Sequence, residues 1–288
     1  VTGRELPPTS AFSGDDGSAD PTLAAVLRAY GRTRSTGSGD PRAVAELADV
    51  IAALAGTRVL VPVLAEAEAT ETVEVHGHAH TVDRQASAGI VALQAPDGRT
   101  ALPVFSSVAA MTAWRADARP VPTEIARAAL SAVEEGWELL VLDPGGPVTV
   151  LVPRPAVWAL AQQIDWSPAV TGTGADRIVA PEVRDAVREA ITAAVAVGDP
   201  APAAAATEQP RRWWRRSAPA TSAPTTERPA IRELRVVPGD RAEVSVDLHL
   251  VPGLDRGTVD AVLRAVGAAL AGSETVTRRV DSVQVRLR

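Results

Sequence analysis

Between Ile90 and Gln163 the period of the apolar positions changes several times, and each change marks an element. Ile90-Val91-Ala92-Leu93 and Ala101-Leu102-Pro103-Val104-Phe105 are apolar runs on either side of Asp97-Gly98. A glycine after aspartate supplies the positive φ of a tight turn, so the pair reads as a β-hairpin. Ser106 or Ser107 is placed to cap a short helix from Val108 to Trp114, whose Met111 and Trp114 fall three apart on one side and read as core. Arg119-Pro120-Val121-Pro122 is extended, because each proline drives the residue before it out of the helical region. Thr123 then caps a helix in which Ile125, Ala128, Ala129, Ala132 and Val133 recur at the spacing of a buried stripe, and Gly136 ends it. Trp137 to Leu142 is an almost wholly apolar strand, Asp143 to Pro147 a turn, Val148 to Val152 the returning strand, and Pro155 opens a further helix toward Gln163.

Upstream of this stretch, Val1 to Ser18 is rich in Gly, Pro, Ser and Asp and reads as a disordered lead (1–18). Asp20-Pro21 is a helix start, with Leu23, Val26, Leu27 and Tyr30 as one stripe, interrupted from Gly31 to Gly39. Asp40-Pro41 repeats the signal ahead of Val44, Leu47, Ala48, Ile51 and Leu54. These two helices should pack on the sheet begun by Arg58 to Leu64. The elements from 20 to 164 form an N-terminal α+β domain with a mixed sheet.

Downstream, Asp165 to Gly174 reads as a linker, Arg177-Ile178-Val179 as a short strand, and Pro181 starts an amphipathic helix with Val183, Val187, Ala190, Ile191, Ala194 and Val195 inside. Ile231 to Val237 and Glu243 to Val251 are strands around a Pro-Gly-Asp turn, the second alternating Val244, Val246, Leu248 and Leu250 with polar residues. A helix capped by Asp255 and a last strand, with Val283, Val285 and Leu287 on one face, complete the order β-α-β-β-α-β. That order predicts a ferredoxin-like domain over 175–288, two helices on a four-stranded antiparallel sheet. The fourth strand depends on Arg177 to Val179; without it the sheet has three. From 199 to 229 the composition turns to Pro, Ala, Thr and Ser, which cannot bury enough apolar area to offset chain entropy, and a flexible insert is expected.

Composition narrows the function classes. The chain of 288 residues is 46% hydrophobic and 22% charged, as expected of a globular protein. It has no cysteine, which excludes disulfides and thiolate metal sites, and no lysine, which excludes Schiff-base chemistry and a phosphate-loop lysine; no cofactor is expected. The net charge of −6 argues against broad binding to a nucleic-acid backbone. The first twenty residues lack the apolar run of a signal peptide and nothing later reaches the roughly 18 apolar residues of a membrane span, so the expected location is the cytoplasm.

Candidate chemistry is sparse. His76, His78 and His80, in His-Gly-His-Ala-His, are the weak candidates for a metal site, since neutral imidazole suits zinc, copper or nickel. Gly77 and Ala79 are poor strand residues and no carboxylate lies at ligand spacing, so the three read as loop residues. Asp247 and His249 share the polar face of their strand and read as a solvated face. Thr171-Gly172-Thr173-Gly174 lacks the basic residue of a phosphate loop. Arg211, Arg212, Trp213, Trp214, Arg215 and Arg216, inside the insert, are the candidate interaction residues: the indoles suit an interface, and the arginines an anionic membrane or an acidic partner.

The motifs LPVFSS (Leu102 to Ser107), Ala113-Trp114, RPVP (Arg119 to Pro122) and VLDPGGP (Val141 to Pro147) give the chain its one family likeness. In their order and spacing it resembles the SseB family, named for enhanced serine sensitivity, from about Val44 to Leu160 and more weakly from Pro181 to Leu287. The resemblance implies a bacterial cytoplasmic protein of two α+β parts and carries over no catalytic residue; the segment with paired tryptophans departs from the family pattern. The absence of lysine and asparagine points to a GC-rich genome. Lacking a nucleophile elbow, a dinucleotide fingerprint or a metalloprotease helix, the chain is expected to be a non-enzymatic adaptor with an unknown protein partner. The alternative is a metal-dependent hydrolase using His76, His78 and His80. An RNA-binding role is disfavoured, because the polar sheet face lacks aromatics for base stacking.

Overall fold

The computed structural model describes residues 12–35, 43–64, 71–75, 78–83, 91–95, 97–172, 174–197 and 230–288. It is an α+β protein of two compact units. The first comprises residues 1–180 with Arg278–Asp281, and the second Pro181–Thr277 with Ser282–Arg288.

The first unit opens with helices α1 (Pro21–Ser35) and α2 (Ala43–Leu54). Asp20 caps α1 as its sequence predicts, its Oδ1 accepting from the amides of Thr22 at 2.8 Å and Leu23 at 2.9 Å. α1 does not stop at Gly31 but runs on to Ser35. The glycine is there for closeness: a Cβ at position 31 would come within 2.4 Å of Val148 Cγ2. Thr33 Oγ1 then donates to Glu46 Oε1 at 2.6 Å, tying α1 to α2.

Strand β1 (Arg58–Val63) pairs antiparallel with β6 (Arg119–Glu124). The main sheet has six strands: β2 (Glu71–Val75), β3 (His78–Asp83), β4 (Ala92–Gln94), β5 (Thr100–Val104), β7 (Leu139–Leu142) and β8 (Val150–Val152), side by side in that order. The β4–β5 hairpin turns at Asp97-Gly98 with Gly98 at φ +86°. β5 and β7 run parallel, joined through helix α3 (Val108–Trp114), β6 and helix α4 (Ile125–Glu134); β8 returns antiparallel and leads into α5 (Arg154–Gln162). A bridge between Leu60 and Phe105 links β1 to β5.

The apolar run of β7 is explained by burial on both sides. Leu140 and Leu142 join one cluster with Val59, Leu102, Ile125 and Ala129, while Leu139 and Val141 join another with Leu60, Phe105 and Met111. Met111 is fully buried and Trp114 packs beside Phe105, their ring centroids 5.2 Å apart, so the Met/Trp pair is core as expected. Each fully buried Leu, Ile, Phe or Met here contributes about 1.5–3 kcal/mol relative to an exposed side chain.

Several expectations are corrected in this unit. Residues 12–18, expected within a disordered lead, form a described loop: Asp15 is ion-paired with Arg58, and the Val108 amide donates to Gly17 O at 2.9 Å. A helix-start amide and a guanidinium together supply contacts that composition does not reveal. Thr123 does not cap α4; the N-cap is Glu124, with no side-chain bond, and Thr123 Oγ1 donates to Val121 O at 3.3 Å. Within 165–174, expected to be a linker, Val170–Thr171 is strand β9, and it pairs with β10 (Ile178–Val179). That pairing takes the strand expected in the C-terminal sheet. At Arg278–Asp281, Asp281 Oδ1 accepts from Arg99 at 2.8 Å, and Val280 O from Arg154 at 2.9 Å.

The second unit contains α6 (Pro181–Val197), β11 (Ile231–Pro238), β12 (Val244–Leu250), α7 (Arg256–Gly272), α8 (Glu274–Arg279, which ends within the first unit) and β13 (Val283–Leu287). Among the described residues its sheet is β11-β12-β13, three strands, not the four of the ferredoxin-like expectation. β11 and β12 are antiparallel, but β12 and β13 are parallel. The reason is the crossover: α7 and α8 carry the chain back to the starting end of β12, so β13 enters in the same direction. Asp255 caps α7 as read, its Oδ1 accepting from Thr258 N at 3.0 Å.

Candidate functional site

In a sheet with parallel strands, reacting groups and ligands gather where the strands end. The carboxyl ends of the parallel pair β5 and β7 are such a place, and the chain puts Phe105-Ser106-Ser107 on one and Asp143 on the other. Asp143 is 7% exposed and adopts φ +50°, a left-handed conformation that aspartate tolerates better than most residues. Its Oδ1 accepts from the Ser106 amide at 2.8 Å and its Oδ2 from the Ser106 hydroxyl at 2.7 Å. The Asp143 main chain is held equally: its N–H donates to Val104 O at 2.9 Å, and its carbonyl accepts from Thr149 Oγ1 at 2.9 Å and Gly146 N at 3.1 Å.

The neighbouring groups close the cluster. Ser107, not Ser106, caps α3, accepting from Ala110 N at 3.1 Å. Arg58 donates to Ser106 O at 3.0 Å and to Ser18 O at 2.8 Å, and pairs with Asp15. That guanidinium holds the Asp15 carboxyl below its ordinary range, chiefly through the hydrogen bond it donates. Burial pushes the Asp143 carboxyl up, against the two bonds from Ser106 that pull it down.

Chemically this is a serine donating to a buried carboxyl whose hold on a proton is strengthened by burial. A carboxyl with raised pKa beside a hydroxyl has the ingredients of a general base and a nucleophile. Access decides against that use: Ser106 is 5% exposed, and its amide, hydroxyl and carbonyl are all engaged within the fold. The arrangement latches the ends of two parallel strands and fixes the loop Asp143–Pro147.

The residues singled out from sequence lie elsewhere. His78 and His80 are on β3, paired with Val75 and Val73, so the expectation of a loop is corrected for them: the β2 backbone provides pairing that a poor strand sequence can still use. His76 lies outside the described residues. Among the described residues no group of three or more His, Asp or Glu could hold a metal ion. Asp247 accepts from Ser245 Oγ at 3.1 Å and Arg288 Nε at 3.3 Å, and His249 stands opposite Glu233 on β11. Arg211, Arg212, Trp213, Trp214, Arg215 and Arg216 also lie outside the described residues.

Sequence reasoning missed the Ser106–Asp143 pair and the Arg58–Asp15 contact. A signal for the first was present: an aspartate closing the run Leu139-Leu140-Val141-Leu142 ends a strand buried on both faces, where a carboxylate must find donors. The second joins residues 43 positions apart in sequence and has no local signature.

The fold and this cluster define an α+β protein whose strand-end polar groups are spent within its own structure. Residues 40–159 match the model of the SseB protein N-terminal domain, so that part of the chain resembles an SseB N-terminal domain. No curated protein and no solved structure is found to match the chain. Among the described residues no helix is long and apolar enough to cross a membrane.

Proposed function

We propose that this SseB-type chain is a non-enzymatic cytoplasmic adaptor that binds a protein partner. The observation that carries this reading is the closed Ser106–Asp143–Thr149 set: the strand-end position that an enzyme of this architecture would keep open is filled by its own hydrogen bonds. A binding surface needs only exposed anchors, and Trp158 on α5, 44% exposed, is of the type that dominates interface energies. The test combines a serine-reactive fluorophosphonate with affinity capture by the full chain. The native protein should remain unlabelled at Ser106, and Trp158→Ala should lower recovery of a specific partner without altering the melting temperature. Labelling of Ser106 in the folded protein would overturn the reading.

Arg211 to Arg216 extend this proposal to a weak, salt-sensitive contact with an anionic membrane or an acidic partner. Each arginine near an anionic surface contributes about 1 kcal/mol, screened within a Debye length. Replacing all six residues with Ser and Gly should leave thermal stability unchanged and reduce co-sedimentation with phosphatidylserine vesicles at low salt. Equal sedimentation of both proteins would remove this contact.

The second reading, a metal-dependent hydrolase, is favoured by the register that sets His78 and His80 two residues apart on one strand. Metal content of protein purified without a histidine tag separates the two. Stoichiometric metal, lost when His76, His78 and His80 are replaced together by Ser, would promote the hydrolase.

A further inference from the structure

The sheet of the second unit has two unlike edges. β11 carries three of the features by which edges avoid pairing: exposed charges at Arg232, Glu233 and Arg235, a register shift between Ile231 and Glu233, and a terminal proline, Pro238. β13 has neither proline nor bulge. Its apolar row, Val283, Val285 and Leu287, stands in register with Val244, Val246 and Leu248 of β12 and so faces the same side of the sheet. Yet the β12 row is fully buried, while Val285 is 37% and Leu287 46% exposed. The core face of the sheet continues past its last covered strand.

The main-chain geometry says which groups are open. Ser282 O accepts from Val244 N at 3.1 Å, and Arg288 N donates to Leu248 O at 2.9 Å. Because successive residues of a strand alternate their main-chain groups between the two sides, Ser282, Gln284, Arg286 and Arg288 point theirs toward β12. Val283, Val285 and Leu287 point theirs outward.

We propose that β13 is the interface between two copies of this chain, paired antiparallel about a two-fold axis at Val285. In that register Val285 meets Val285 of the second copy and Val283 meets Leu287, all through outward main-chain groups, so the apolar row is self-complementary. On the other face Gln284 meets Arg286, and no two like charges stand opposite. Moving the register one step of the hydrogen-bond pattern toward the C-terminus sets Arg286 against Arg286, which is unfavourable, and one step the other way sets Leu287 against Asp281 and breaks the apolar row. Arg286 and Arg288 are already neutralised within their own copy by Asp240 and Asp247. Charge and apolar pattern thus select a second copy, in one register, as the occupant.

The absence of native cysteine makes the test clean. In the full chain, Val285→Cys should form a covalent dimer on mild oxidation, because directly opposed, hydrogen-bonded residues have Cα atoms about 5.5 Å apart, within disulfide range. Gln284→Cys, which faces Arg286 and not itself, should not. Light scattering over a concentration series should show twice the chain mass for the native protein and a single mass for Val285→Arg, with unchanged circular dichroism. Should Val285→Arg fail to fold, the pair of cysteine variants still decides. A native chain that stays monomeric up to its solubility limit overturns the proposal, and so does equal crosslinking at both positions. A chain monomeric when intact but dimeric after excision of 198–229 also overturns it, by making the insert the occupant. A dimer that survives Val285→Arg places the interface elsewhere.

Discussion

One interior strand of each unit, β7 and β12, shows two ways to hold a sheet. β7 is buried along both faces, its four residues alternating between two apolar clusters. β12 buries Val244, Val246 and Leu248 on one face, while on the other Asp247 is engaged by Arg288 and His249 stands opposite Glu233. Where both faces are covered, a polar group at the strand end is trapped and must be satisfied inside, as Asp143 is by Ser106. On that second face of β12 the cover is partial: Ser245 is buried, and Asp247 is paired with Arg288 instead of being enclosed by its own strand ends. The second sheet, unlike the first, leaves apolar side chains of an edge strand exposed, at Val285 and Leu287.

The contrast is broken or sharpened by single substitutions. The largest effect is expected at the doubly covered strand: Leu140→Ala should destabilise by about 2–5 kcal/mol in denaturant unfolding, the range for a buried leucine whose cavity does not collapse. A cost below about 1 kcal/mol would show that this core relaxes freely. Next is Asp143→Ala, which strips the Ser106 amide and hydroxyl of their acceptor and should cost about 1–3 kcal/mol.

The same aspartate makes a pH prediction whose sign follows from burial. Its folded carboxyl holds a proton more tightly than the unfolded one, so its stabilising contribution is complete below the ordinary carboxylate pKa and is lost as pH rises through the raised folded value. Compared with Asp143→Asn, the native protein should lose stability across that window when melting is followed against pH. An opposite slope would mean that the Ser106 bonds, not burial, control the group.

Third comes Gly145→Val in the loop that Asp143 anchors. Gly145 has φ +71°, so a β-branched residue there should cost more than about 1 kcal/mol. A fully stable variant would show that the loop refolds around the change. The smallest effect belongs to the partly covered polar row of β12: His249→Ser should change stability by no more than about 0.5 kcal/mol. A loss matching that of Asp143→Ala would end the distinction between the two sheets.

Much of this organisation was legible in the sequence because it depends on neighbours in the chain. Leu139 to Leu142 reads as a continuous apolar run and Val244 to Leu250 as an alternating one, which are the signatures of two-sided and one-sided burial. The caps at Asp20, Ser107 and Asp255, the hairpin at Gly98 and the end of α4 at Gly136 follow from local hydrogen bonding and local φ preference. The motifs from Leu102 to Pro147 also located the SseB N-terminal domain.

Tertiary structure alone decided the rest, because it set which distant groups met. Ile178–Val179 is too short to choose a partner by its own pattern, and it joined β9 because that strand was near. Glycine at 31 signals a break, but in α1 it marks the close approach of Val148. The loop at residues 12–18 looks unstructured by composition until Arg58 and the Val108 amide supply its partners. Ser106 lies in LPVFSS and Asp143 in VLDPGGP, but neither motif says that the two meet; parallel pairing of β5 with β7 brings their strand ends together, and burial then makes each the other's partner.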